Sequence, residues 1–337
     1  MAANDYDALL VQSFGGPEGP DDVIPFLENV LCGRNVPRDR LLEVAGHYQR
    51  YGGVSPINQQ CRDLIAALRE ELQKHDIHLP IYWGNRNWHP MLGTTFKEMQ
   101  HNGVQRALSF VTSAFSSYSG CRQYQEDVLS FRSVAGPRII QVDKLRVFYN
   151  HPDFIAVVAA RVRDAVAELD MSDAPFVAFT AHSIPGAMAA GCDYEKQLRE
   201  TCRLVAERLE LPADNWELVY QSRSGRPQDP WLDPDICDFI PTLHSRGVRE
   251  LIISPIGFIS DHMEVLFDLD TEAREVCARL DIDMRRAATP GVHPQFIVMI
   301  RKLMQERLFG AGREALGAFS PNHDVCPDGC CLSGRQS

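Results

Sequence analysis

What most constrains this chain is an alternation that it uses twice. Short β-branched or aromatic runs recur between longer helical stretches. The first half offers "ALLVQSF" (8–14), "PIYWG" (80–84), "ALSFVTS" (107–113) and "RIIQV" (138–142). The second offers "PFVAFTA" (175–181), "WELVYQS" (216–222), "ELIISPI" (250–256) and "DMRRA" (283–287). Stretches such as "CRDLIAALREELQKH" and "FIAVVAARVRDAVAEL" lie between them. Strands that alternate with helices build parallel sheets, because a parallel neighbour needs a crossover. The pattern predicts α/β architecture: two similar open parallel-sheet, doubly wound domains facing a central cleft. The expected extents are 4–146 and 147–312, with 313–337 as a cysteine-bearing tail. A helix from about His151 to Leu169 is expected to cross between the halves. The Gly-, Ser- and Pro-rich tail needs something to tie it down.

The bulk numbers narrow the function. A chain of 337 residues exceeds what one core usually holds. Its formal net charge of −11 argues against a nucleic-acid partner, which needs a basic surplus. A local arginine cluster for an anionic ligand stays open. "MAANDYDALL" lacks the basic start and long apolar run of a signal peptide. No stretch approaches the roughly 20 apolar residues of a membrane span. A cytoplasmic protein is expected. Cytosolic thiols stay reduced, so the ten cysteines are not disulfides by default. Six are scattered, and three crowd into "CPDGCC".

In open α/β sheets, ligands collect beyond the carboxyl ends of the strands. "SFGGPEGPDD", "TSAFSSYSGCRQYQED", "AHSIPG" and "SPIGFISDHMEVLFD" all fall there. On a helix, Glu264, Asp268 and Glu272 stand four apart and share one face, spanning roughly 12 Å. Like charges at that spacing repel, and a cation relieves the repulsion. Carboxylate and imidazole ligands suit a transiently held Fe²⁺, Mn²⁺ or Zn²⁺. The bland alternative is a solvated acidic face near a helix N-terminus. His182, at a strand's carboxyl end, reads as a base or metal ligand, or equally as a satisfied structural histidine.

"SFGGPEGPDD" is no phosphate loop, because neither glycine-rich phosphate motif is present. Gly15 and Gly16 are expected to let the backbone approach a flat ligand, with Phe14 packing beside it. Ser55 and Asn58 in "GGVSPINQQ" are polar handles, and "YWGNRNWHP" adds Arg86, Trp88 and His89. Arg34 and Arg122 suit carboxylates of a large aromatic anion, although each alone reads as an ordinary surface arginine. Tyr124 and His262 complete the candidate substrate contacts. In the tail, Cys326, Cys330 and Cys331 need a fourth thiol to ligate an iron–sulfur cluster, and Cys121 is best placed. A redox-labile or zinc-binding tail is the alternative.

Taken in order, "LLVQSFGGPEGPDDVIPFLENV", "YGGVSPIN", "YWGNRNW", "TSAFSSYSGCRQY", "AHSIPG", "LVYQSRSG", "PWL" and "PIGFISDHMEVLFDLDTE" resemble the ferrochelatases essentially end to end. The likeness is to the bacterial branch with a C-terminal iron–sulfur cluster, whose members resemble coproporphyrin ferrochelatases. The resemblance implies a chelatase-like fold and a lyase of haem biosynthesis that takes Fe²⁺ and a porphyrin, coproporphyrin III foremost, as substrates. A protoporphyrin IX ferrochelatase, a cobalt chelatase of the same fold and a non-enzymatic haem or metal carrier are the alternatives. It implies that His182 and Glu264 flank the porphyrin centre, on the Fe²⁺ path, with neutral His182 accepting a pyrrole proton or holding the arriving iron. Asp268 and Glu272 become an outer relay for Fe²⁺. Cys121, Cys326, Cys330 and Cys331 become ligands of a [2Fe-2S] cluster, with a C-x₃-C-C spacing tighter than that of animal relatives. Phe14 stands where many relatives carry tyrosine. A further haem-pathway enzyme is an implied partner.

Overall fold

The computed structural model describes residues 6–33, 36–134, 139–169, 175–225 and 228–334. Among the described residues, eight strands form two sheets of four. The first contains β1 (Ala8–Ser13), β2 (Ile81–Asn85), β3 (Arg106–Val111) and β4 (Gln141–Lys144) in the order β2-β1-β3-β4. The second contains β5 (Phe176–His182), β6 (Trp216–Gln221), β7 (Glu250–Ser254) and β8 (Asp283–Arg286) in the order β6-β5-β7-β8. Every pairing is parallel, so the same four-strand plan occurs twice. The fourth strand begins at Gln141, three residues past the expected start.

Side-chain alternation explains why both faces of each sheet are covered. Along β1, Leu9 and Val11 enter the main core, while Ala8 and Leu10 join an outer core with Leu92, Phe96 and Met99. Along β5, Val177, Phe179 and Ala181 face the main core, and Phe176 and Ala178 face a second outer one. Successive strand residues point to opposite faces, so a strand covered on both sides is apolar throughout. Each fully buried Phe or Leu contributes about 1.5–3 kcal/mol.

The main core is continuous between the halves. Helix Pro294–Phe309 packs on Ile57–Lys74 of the first half and on Pro152–Val166 of the second. Phe148, Phe154 and Phe296 interlock there at centroid distances of 5.4–6.4 Å. The two sheets therefore share a rigid base. Helix Pro152–Val166 confirms the expected connection, opening at His151, whose Nδ1 accepts from Asp153 N, with Pro152 in the first turn.

One local expectation is corrected. The stretch holding Glu264, Asp268 and Glu272 is not one α-helix: Met263–Phe267 is α, Asp268–Ala273 is π, and Arg274–Arg279 is α again. The glycines of the first loop are packed closely against the protein itself. Gly15 has φ of 82°, and a Cβ there would lie 2.8 Å from Asn85 Cβ. A Cβ on Gly16 would lie 2.6 Å from Ser55 Cβ.

The tail is held against the body despite its composition. Arg146 donates to Glu314 O at 2.9 Å, Asn150 Nδ2 to Phe319 O at 2.9 Å, and Arg122 to Cys330 O at 2.9 Å. The Leu316 amide donates to Asn150 O, and the Ala318 amide to Glu200 Oε1.

Candidate active site

His182 ends β5, and its neighbour in register across to β6 is Gln221. Tyr194 donates to the His182 carbonyl at 3.1 Å, and His182 Nδ1 meets the Ser183 carbonyl in a short contact. That leaves Nε2 to face Glu264 Oε1 at 3.6 Å, with both side chains partly open to solvent. Glu264 lies in the first turn of Met263–Phe267. His262 caps that turn, its Nδ1 accepting from Glu264 N at 3.2 Å. Its ring stands edge-on to Phe258. Arg286 fastens the loop, donating to Asp261 and, at 2.8 Å, to Asp270.

The electrostatics follow from this facing. Burial works against charge on His182, but the Glu264 carboxylate opposite, its hydrogen bond and the Ser183 carbonyl outweigh burial and raise the pKa to about 9. Burial likewise opposes charge on Glu264, and the imidazolium overcomes it and lowers the carboxyl to about 2. The pair therefore rests as imidazolium and carboxylate.

Asp268 follows Glu264 by one turn and accepts from Ser222, in a short contact, and from Gln221 Nε2 at 3.4 Å. Burial pushes its carboxyl up to about 7; Ser222 opposes this, and Glu264 and Glu272 add to it. Glu272 is exposed. In an α segment, four residues overshoot a turn of 3.6. In a π segment they fall short of one. With one segment of each, Glu264 and Glu272 both stay near enough to Asp268 to raise its pKa. The π segment is braced from the first half, where Tyr51 donates to Leu266 O at 2.9 Å and pairs with the Thr271 hydroxyl at 2.6 Å. His47 stacks on Phe267 at 3.7 Å.

The remaining candidates are placed as follows. Phe14 is 39% exposed beside Phe26, free to meet a ligand. Ser55 is buried against Gly16, and Asn58 is spent on Gly16 O, His89 O and Asn85. Arg86 pairs with Asp127 and lies over the ring of buried Tyr124 at 5.1 Å. Arg34 lies outside the described residues.

A second constellation gathers the tail thiols. Cys121 sits in a π turn, Tyr118–Arg122, after β3, opened by Ser117, whose side chain accepts from Gly120 N. The Cys121 thiol donates to Cys326, which holds the Cys326 thiol below its usual range against the effect of burial, with Lys144 nearby assisting. Gln125 Nε2 donates to Cys326 Sγ at 3.4 Å, and Cys330 Sγ lies 3.4 Å from Cys331 Sγ. The four thiols named from the sequence thus converge, with N–H donors and a cation to stabilise thiolates. This chemistry fits an iron–sulfur cluster.

Sequence reasoning missed Gln221, Ser222, Tyr51 and His323. The first two lie in "LVYQSRSG" at the carboxyl end of β6, so the strand-end rule had the means to find them. Tyr51 acts on a distant segment and carries no local signal, whereas His323 stands three residues before Cys326, so the spacing of the tail had the means to find it.

Among the described residues, no helix is long and apolar enough to cross a membrane. The family model described as Ferrochelatase matches residues 6–308. A protein of Rhodopirellula baltica named Ferrochelatase is 55% identical over 330 residues, covering 97% of this chain and 93% of its own. A Coproporphyrin III ferrochelatase of Streptomyces coelicolor is 47% identical, covering 98% of this chain and 94% of its own. Among solved structures, SirB from Bacillus subtilis with Fe³⁺ superposes with a TM-score of 0.57 at 12% identity, covering 90% of this chain and 96% of its own. That likeness establishes the two-sheet fold. With a family match across nearly its whole length and relatives this similar, the chain belongs to the ferrochelatase family.

Proposed function

We propose that this chain inserts Fe²⁺ into coproporphyrin III to give coproheme, a lyase reaction of haem biosynthesis. The observation that carries the reading is the His182–Glu264 pair at 3.6 Å, backed by Asp268 and then by exposed Glu272. The name of the Streptomyces coelicolor relative supports coproporphyrin III as the porphyrin.

A free-base porphyrin is flat and carries two inward N–H protons. Iron enters only as the ring buckles and the protons leave. A cleft that fits the saddled ring better than the flat one lowers that barrier. Glu264, Asp268 and Glu272 form the iron path. Fe²⁺ arriving at Glu264 takes over the carboxylate that holds the proton on His182. The imidazolium releases its proton to solvent, and neutral His182 then takes the first pyrrole proton, passes it to solvent, and takes and keeps the second, ending as the imidazolium it began as. Two protons leave as one Fe²⁺ enters, so total charge is conserved. Asp268 titrates near neutrality and so holds a passing cation without trapping it.

Cys121, Cys326, Cys330 and Cys331 hold a [2Fe-2S] cluster. When bound, the cluster supplies a cross-link between the tail and the body rather than a redox step, since Fe²⁺ insertion moves no electrons. Gln125 and Lys144 stabilise the thiolates, and Arg122 fixes the turn through the Cys330 carbonyl. Action in the cytoplasm, with product passed to a further haem-pathway enzyme, completes the reading.

The test is anaerobic turnover with Fe²⁺ or Co²⁺ on coproporphyrin III and protoporphyrin IX. Fe²⁺ with coproporphyrin III is expected to give the fastest loss of free-base bands. Bands that persist with every pair mark a carrier, and faster turnover on protoporphyrin IX replaces the substrate.

A further inference from the structure

Beside the four thiols stands a fifth donor. His323 Nε2 lies 4.0 Å from Cys330 Sγ. The ligand atoms of His323, Cys326 and Cys330 all fall within 4.8 Å of one another. Donors at metal–ligand distances of about 2.0–2.3 Å sit roughly 3.5 Å apart around a tetrahedral ion, so a small shift lets His323 and Cys330 share one metal. Among the described residues, no such trio includes Cys331.

Cys331 is the constrained member of the thiol set. It is buried and has φ of 54°, left-handed for a residue that carries a Cβ. It is also the chain neighbour of Cys330, so two adjacent side chains must turn toward one centre. His323 is freer. It lines a cleft of about 450 Å³ with Tyr149, Lys196, Phe319 and Asn322, so its ring can be approached from solvent.

We propose that His323 is a fifth ligand of the C-terminal centre, taking the fourth coordination place in exchange with Cys331. The proposal rests on the reading that the tail thiols hold a cluster. A [2Fe-2S] cluster takes four protein ligands, and five are at hand. In the exchange an iron–sulfur bond to Cys331 breaks and an iron–nitrogen bond to His323 forms. Cys331 takes a proton from solvent. A neutral imidazole replaces a thiolate, so the centre becomes less negative and its reduction potential rises.

The test uses the anaerobically purified full chain with Cys331→Ser, His323→Ala and the double variant. Iron, acid-labile sulfide and visible absorption are measured, and the reduced protein is examined for nitrogen coupling by pulsed electron paramagnetic resonance. His323→Ala is expected to keep its colour through Cys331. Cys331→Ser is expected to keep most of its cluster, with a raised potential and a strongly coupled histidine nitrogen. The double variant is expected to lose the cluster, and Cys331→Ser/His323→Gly to regain it with added imidazole. A Cys331→Ser protein as colourless as the double variant, or coloured without nitrogen coupling, overturns the proposal. A wild-type chain without iron and sulfide, or undiminished colour in Cys326→Ser, instead removes the cluster reading beneath it.

Discussion

Glu264 and Asp268 stand one turn apart and are driven in opposite directions. Glu264 faces the His182 imidazolium and is lowered to about 2, although burial opposes its charge. Asp268 is raised to about 7 by burial, and the negative charge of Glu264 adds to the rise. Two carboxylates on one helical row therefore do different work. The inner one is always charged, and the next changes charge under ordinary conditions.

The pH dependence of iron use follows from Asp268. Below about pH 7 it is neutral and a poor cation ligand; above that it is anionic. The KM for Fe²⁺ should fall as pH rises through 7. Asp268→Asn should abolish that limb and hold KM near its acid-side value, while KM for the porphyrin stays level. A limb that survives in Asp268→Asn assigns the titration to another group. Steady-state assays at fixed porphyrin, from pH 6 to pH 8.5 or so, span the transition.

Function and stability should separate at His182. Removing a proton-transfer group costs about 10²–10⁴-fold in rate, so His182→Ala should lose kcat on that scale while porphyrin binding persists. The stabilising share of the pair has a defined window. His182, raised to about 9, adds stability below its unfolded value near 6.5 that is lost as pH climbs through 9. Glu264, lowered to about 2, adds stability above roughly 4.5 that is lost as pH falls through 2. Both side chains are partly exposed, so the pair is worth about 0–1 kcal/mol. His182→Ala should therefore unfold at nearly the wild-type urea midpoint. A large drop in that midpoint would make His182 a structural residue.

Much of this was legible in the chain. The inner strands read from apolar runs because sheets covered on both faces leave little room for polar side chains, while the edge strands Gln141–Lys144 and Asp283–Arg286 are largely polar and read only from the repeated plan. The row from Glu264 to Glu272 and Cys121 read because strand-end loops concentrate reactive side chains, and the other three thiols read from their crowding in the tail. What stayed hidden depends on contacts between distant segments. No local pattern separates π from α over Asp268–Ala273, and Tyr51, the partner of Thr271 there, lies 220 positions earlier in the chain. The protonation of His182 was hidden because it depends on a 3.6 Å approach across two loops. Arg86 read as a free cation because Asp127, its partner, lies 41 residues further along.

Tyr51 offers a test of the π segment. Its hydroxyl donates to Leu266 O where α gives way to π, and it comes from the opposite half. Tyr51→Phe should cost about 0.5–1.5 kcal/mol, the net worth of one hydrogen bond. Faster amide exchange should appear over 266–273, and KM for iron should rise more than KM for porphyrin. Unchanged exchange there would mean that the π geometry is intrinsic to the segment.

The buried pair under the tail makes a stronger demand. Arg146 and Glu306 form two parallel hydrogen bonds of 2.8 Å with side chains only 1% and 3% exposed. Glu306→Gln strands a buried guanidinium and should cost about 3–5 kcal/mol. Arg146→Met with Glu306→Leu removes both charges and should recover most of that loss, since apolar replacements of buried pairs are often neutral. The double variant still lacks the 2.9 Å bond from Arg146 to Glu314 O that holds the start of the tail. Its urea midpoint should approach wild type while protease cuts the chain faster after Gly310. Equal losses in the single and double variants would show that packing, not charge, dominates this contact. A tail as resistant as wild type in the double variant would assign its anchoring to Asn150 and the thiol cluster instead.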